Sequence, residues 1–356
     1  MTAPSFAEST LTIGSKIGRY FGLVSMLPAL FLVLWSATLA VSDAWRGAPK
    51  VGQLSAFAHW TSTGIAWILL ASLVAGLFVH PLQFATTQVL EGYWGTSFLG
   101  RKAALLRIRH YSKRRQKLVD ARDAAAAALE AEVVAALTAI RPEDPPPWER
   151  TLFEKRKKFL LNSEDGEQFL HRIVDAEVFA YAASRFPDPS RILPTRLGNA
   201  LRREEDRVGK QYGLDVLKVL PHLLLTAPER HVDHVQDARQ QLDTTVRLGV
   251  VSLLATLETT ACLLTDGWWL LVALGPYALT YLAYRAAIAA ADEYTTAVKI
   301  LTDLNRFTLY ESLHVRLPVS TAEEKRNSAA LVELLNGKHE NVSYKHPASP
   351  TPPGNP

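Results

Sequence analysis

Four apolar stretches, arranged as two widely separated pairs, constrain this chain more than any other feature. The first pair covers about Tyr20–Val41 and Trp60–Val79, the second about Leu248–Thr265 and Trp268–Tyr284. Each approaches or reaches the roughly 20 residues that an α-helix needs to cross a hydrocarbon core. Phe21–Val41 holds no ionisable side chain at all. The expectation is an all-α integral membrane protein with four transmembrane helices in two hairpins and a helical cytoplasmic domain between them. Lys16 and Arg19 precede the first run as they would in a signal peptide. Its apolar core exceeds the roughly 7–15 residues of a secretory segment, which favours a retained helix.

Basic residues set the expected orientation. From Gly92 to Val119 there is no Asp or Glu, yet Arg101, Lys102, Arg107, Arg109, Lys113, Arg114, Arg115 and Lys117 all fall there. Lys and Arg near helix ends favour the cytoplasmic side. The Asp43–His59 loop carries only Arg46 and Lys50, and Thr265-Asp266-Gly267 carries neither type. Both termini and the middle block are therefore expected on the cytoplasmic side of the membrane, with the hairpin tips outside. Tyr20, Trp45, Trp60, Tyr93, Trp94, Trp268 and Trp269 lie near segment ends, where an aromatic ring with one polar edge meets the headgroups.

The expected organisation is an N-terminal segment 1–19, a first hairpin 20–83, a cytoplasmic domain 84–245, a second hairpin 246–290, C-terminal helices 291–337 and a disordered tail 338–356. Pro28 should kink the first span, and His80-Pro81 should close the second. Ala103–Ile140 lacks Gly and Pro and shows only a thin apolar stripe, which suits a long, projecting or paired helix. Further helices are expected over Trp148–Asn162, from Ser163 to Phe186, over Pro194–Tyr212, and from Pro228 without a break into the third span. Pro221 should interrupt the segment before that. Ser320 and Glu323 have capping-box spacing for a last helix over Thr321–Asn336.

Glu258 is the sharpest site candidate, because a carboxylate in the middle of an apolar run is costly unless protonated, paired or wetted. With Thr256 and Thr259 it reads either as part of a pore or as a hydrogen-bonded packing element. Small residues Ser252, Ala255, Thr259 and Cys262 mark a close-approach face. The basic run Arg101–Lys117 suits lipid headgroups, besides setting topology. It lacks the interleaved aromatics that a nucleic-acid partner would need. Arg196, Arg202, Arg203, Glu204 and Arg207 form a mixed-charge helix, read as an exposed surface of charge pairs or a docking face for a protein partner. His231, His234 and Asp237 recur at threes, but no metal motif accompanies them, so a solvated face is expected, with no metal and no cofactor.

Pro194-Thr195-Arg196-Leu197-Gly198-Asn199-Ala200-Leu201-Arg202, then Tyr212-Gly213-Leu214-Asp215, resembles a phrase of a poorly characterised bacterial four-helix inner-membrane protein family. Asp303-Leu304-Asn305-Arg306 and Leu309-Tyr310 share its flavour. The resemblance implies an inner-membrane setting and no activity. The layout of two hairpins around helical mass also resembles bestrophin-type anion channels, as analogy alone. Without a phosphate loop, nucleophile elbow or zinc-protease motif, no enzyme is expected. The leading expectation is a membrane-anchored scaffold or sensor whose helical domain binds a partner or ligand. The alternative is a homo-oligomeric channel or pore with Glu258 and the second hairpin near its pathway.

Overall fold

The computed structural model describes residues 26–59, 61–138 and 166–345. In chain order its helices are α1 (Leu27–Val41), α2 (Ser62–Glu91), α3 (Phe98–Thr138), α4 (Gly166–Ser184), α5 (Arg196–Glu205), α6 (Val216–Thr226), α7 (Glu229–Leu263), α8 (Leu274–Ser312) and α9 (Thr321–Leu335). Short 3₁₀ turns cover Val51–His59, Pro189–Arg191, Lys210–Tyr212 and Gly267–Ala273. No strand occurs among the described residues, only an isolated antiparallel bridge between Val315 and Tyr344. The segments 1–25 and 346–356, Trp60, and the helix expected over Trp148–Asn162 lie outside the described residues.

The chain forms two compact units, one of Met1–Tyr93 with Glu204–Pro356, the other of Trp94–Arg203. In the first, α7 and α8 pair along their length. At 1.5 Å per residue they run about 52 and 58 Å, well beyond a hydrocarbon core of about 30 Å. Small side chains let them approach: Ser252, Ala255 and Thr259 on α7 and Ala287 and Ala291 on α8 are fully buried. A Cβ on Gly249 would stand 3.7 Å from that of Ala283. The close-approach face read from the sequence thus packs within one chain. α1 and α2 pack on each other and on α7. Leu39, Ala44 and Leu263 cluster with Trp35, Cys262 and Trp269 to join the two hairpins near their tips.

At the other end, α6, α9 and the overhanging ends of α7 and α8 form a head. Its core contains Val219, Leu223, Leu301, Leu309, Tyr310 and Leu331, each almost fully buried. Removing such a side chain from water stabilises by roughly 1.5–3 kcal/mol. α9 begins with the first half of a capping box, Ser320 Oγ accepting from Glu323 N at 3.2 Å, while Glu323 Oε2 reaches one residue further back and accepts from Val319 N at 2.9 Å. In the second unit α3 pairs with α4, so the thin stripe belongs to a paired helix. The ring of buried Tyr111 meets that of Phe186 at 6.4 Å between centroids.

Several expectations are corrected. Only two described stretches, Glu229–Leu263 and Gly267–Ser312, are long and apolar enough to cross a membrane, not four. A third qualifies only if Val51–Phe57 and Ser62–Phe78, which meet at 98°, form one bent span. The described part of the first run, α1, has 15 residues, about 22 Å, with Pro28 near its described start, and the rest of that run before Met26 lies outside the described residues. Helix α2 continues through Pro81 to Glu91. Helix α6 likewise passes through Pro221, because burial of Val219 and Leu223 on either side outweighs the local preference.

The helix expected over Pro194–Tyr212 ends at Glu205. Gly209 takes φ +77°, its carbonyl accepts from Leu214 N, and the turn delivers Val208 and Leu214 into the core. The C-terminal tail is ordered further than expected. Arg316 N donates to Ser343 O at 2.9 Å and Lys345 N to His314 O at 2.8 Å, while Val342 packs on the head.

Candidate functional site

A polar seam joins the first hairpin to α7. Ser36 Oγ on α1 donates to Glu258 Oε2 at 2.8 Å. One residue earlier, Trp35 Nε1 donates to Thr259 Oγ1 at 2.8 Å, and Thr259 passes its own proton to the Ala255 carbonyl at 2.6 Å. Adjacent residues on α1 thus meet adjacent residues on α7, in register. The sequence placed Thr256, Thr259 and Thr260 beside Glu258 as hydrogen-bond partners for its carboxylate. Their hydroxyls instead return to carbonyls four residues back, Thr256 to Ser252 at 2.8 Å and Thr260 to Thr256 at 2.7 Å. The partner that Glu258 gains comes from 222 residues away. Sequence reading missed Trp35 and Ser36. The available signal was a tryptophan in the middle of an apolar run, away from the ends where interfacial aromatics gather.

Near the tips, Asp43 (φ +53°) accepts from Lys50 Nζ at 2.9 Å, and that bond holds its carboxyl below the ordinary aspartate range. Gly47 brings the first tip to Asp266 of the second, with 3.7 Å left for a Cβ. At the opposite end of the apolar run, Arg239 pairs with Asp243 at 3.3 Å and lies over the Tyr294 ring at 5.5 Å. One turn further, Arg247 is almost completely buried. Charges therefore gather inside the α7–α8 pair immediately before the apolar stretch begins, where pairing offsets desolvation.

The other candidate residues fall on separate elements. The basic run lies on α3. Arg101, Lys102, Arg107, Arg109, Lys113, Arg114 and Lys117 are exposed and Arg115 is half-buried. Arg107 donates to the Tyr111 hydroxyl at 3.0 Å. On α5, Arg196 is exposed, Arg202, Arg203 and Glu204 are half-buried, and exposed Arg207 lies 3.8 Å from Glu204. The Leu197–Ala200 stretch between the charges is buried. Asn199 latches the preceding loop: its Nδ2 donates to Leu193 O at 2.9 Å and Thr195 O at 2.7 Å, and its Oδ1 accepts from Leu193 N at 2.8 Å. The phrase Pro194–Arg202 thus encodes a helix start.

His231 Nδ1 lies 3.2 Å from Asn305 Oδ1, turned toward α8. No group of three or more His, Cys, Asp or Glu able to hold a metal occurs among the described residues. In the head, Arg306 Nε donates to Glu324 Oε1 at 2.7 Å, with its guanidinium 4.2 Å above the Tyr212 ring. Tyr310 and Ser328 share a hydrogen bond of 2.8 Å. Burial raises the Tyr212 phenol above its ordinary value, and the neighbouring Asp303 carboxylate adds to this. A raised folded value means that the neutral phenol stabilises the folded head fully below about pH 10. That stabilisation is lost as pH rises through the folded value. Burial raises the Tyr310 phenol as well, so protease resistance of α9 should fall in alkali together with tyrosinate absorbance, and Tyr212→Phe should reduce that step while Tyr310 keeps the remainder.

Comparison with protein-family models, curated proteins and solved structures finds no match for this chain.

Proposed function

We propose that this chain is a multi-pass membrane protein whose two hairpins anchor a helical, non-enzymatic binding module on the cytoplasmic side. The observation that carries this reading is the inward orientation of its one mid-run carboxylate. Glu258 accepts a hydrogen bond from Ser36 of the same chain, which supports a role as a tie between the hairpins. The surfaces around the seam support membrane immersion: Leu253, Leu254 and Leu257 on α7 and Leu274, Tyr277, Tyr281 and Leu282 on α8 are all exposed. Contiguous apolar surface of this kind is stable only against lipid or another protein.

The test separates anchor from channel. Purified protein in liposomes should conduct no ions above background, and Glu258→Gln should leave that unchanged. Single-channel currents altered by Glu258→Gln would overturn the anchor reading. Glutamine still accepts the Ser36 proton, whereas Glu258→Leu removes the acceptor. The leucine variant should lose about 1 kcal/mol in thermal unfolding in detergent, the scale of a hydrogen bond between membrane helices.

Orientation has its own measurement. With Cys262 replaced by Ala, a membrane-impermeant maleimide added to intact cells should label Gln53→Cys in the first tip. It should leave Lys113→Cys unlabelled until the cells are opened. The opposite pattern would reverse the topology.

A further inference from the structure

The outer face of the first turns of α3 mixes two kinds of side chain that a solvated helix keeps apart. Phe98 and Leu99 are 78% and 77% exposed, and Leu105 and Leu106 are 54% and 60% exposed. At 100° per residue, Phe98, Lys102, Leu105, Leu106, Arg109 and Lys113 share an arc of about 100°. Tyr111, which packs toward α4, lies on the opposite side. The Lys102 ammonium stands 5.9 Å over the Phe98 ring, so charge and apolar surface are interleaved there and not merely adjacent. No carboxylate occurs from Gly92 to Val119 to neutralise this face.

We infer that this face of α3 is a foot that seats on an anionic lipid surface, its apolar side chains entering the headgroup boundary and its basic ones pairing with phosphate. The inference rests on the membrane reading proposed above. Two observations choose lipid over other anionic partners. Phe98 follows α2, the helix that carries the second apolar run, by only seven residues of chain. Exposed Phe and Leu among lysines and arginines, on a helix, is also the composition that binds interfaces by partial burial plus charge attraction. A nucleic-acid groove would instead need aromatics spaced for base stacking.

The experiment uses the full chain carrying Cys262→Ser and Leu106→Cys, labelled with an environment-sensitive fluorophore and placed in lipid nanodiscs. Discs of phosphatidylcholine alone are compared with discs containing phosphatidylglycerol. The label should shift to the blue in the anionic discs, and added salt should reverse the shift. A label at Ala124→Cys, on the same arc but about 27 Å further along α3, should not shift. Each basic residue near an anionic surface adds roughly fivefold to binding, so Lys102→Gln, Arg109→Gln and Lys113→Gln together should lower the docking constant on the order of a hundredfold. Identical Leu106→Cys spectra in the two lipids would overturn the inference while leaving the anchor reading intact. So would a shift produced only by added RNA, which would assign the face to nucleic acid. Failure of the unlabelled protein to remain in either disc would overturn both.

Discussion

Arg306→Ala should release α9 from the head. Arg306 reaches Glu324 at 2.7 Å, where the two side chains retain 19% and 6% of their exposure. Its guanidinium also lies between the rings of Tyr212 at 4.2 Å and Phe307 at 4.3 Å. Removing the arginine leaves a carboxylate buried without its cation, a change that costs about 3–5 kcal/mol in comparable pairs. Amide exchange over Thr321–Leu335 should then accelerate between about a hundredfold and a few thousandfold, while exchange in the apolar part of α7 stays as it was. Replacing both partners, as Arg306→Met with Glu324→Leu, should restore most of the protection, because no charge is left stranded. A single variant with unchanged exchange would show that the pair does not hold α9.

Gly213→Ala should act on the same docking by a different route. Gly213 adopts φ +77°, and an added Cβ would overlap the backbone carbonyl of Lys325 in α9. The left-handed conformation alone costs roughly 1–2 kcal/mol for an L residue. Forcing apart a packed contact adds about 1–3 kcal/mol. Gly337 provides the comparison, since it has φ +78° with nothing within 4 Å of its would-be Cβ. Gly337→Ala should therefore cost only the conformational part. Thermal unfolding of the two variants in one detergent measures the difference, and equal losses would mean that Lys325 moves aside freely.

Both residues sit in phrases that stand out in the sequence, Tyr212-Gly213-Leu214-Asp215 and Asp303-Leu304-Asn305-Arg306. The sequence sets Gly213 directly after the helix expected over Pro194–Tyr212, and the glycine closes only the 3₁₀ turn there, α5 having ended at Glu205. It gave no hint that the same glycine admits the backbone of α9. That contact joins positions more than a hundred residues apart, and no local spacing encodes it.

What the chain's own pattern determined is local. Apolar run length marked the stretches able to enter a membrane. The unbroken helix from Glu229 through the third run follows from the absence of proline and from Gly249 being the only glycine within it. The start of α9 follows from the reach of Ser320 and Glu323 across one turn. Helix propensity, capping and hydrophobic periodicity act within a few residues, so they are written in order along the sequence. Tertiary structure alone decided the rest: which helix supplies the partner of Glu258, that Trp35 faces α7 and not the headgroups, that Pro81 and Pro221 stay inside helices, and that Val342 and Tyr344 are drawn back onto the head. Those outcomes depend on what meets a side chain across space, where burial and a completed hydrogen bond outweigh the local preference of any single residue.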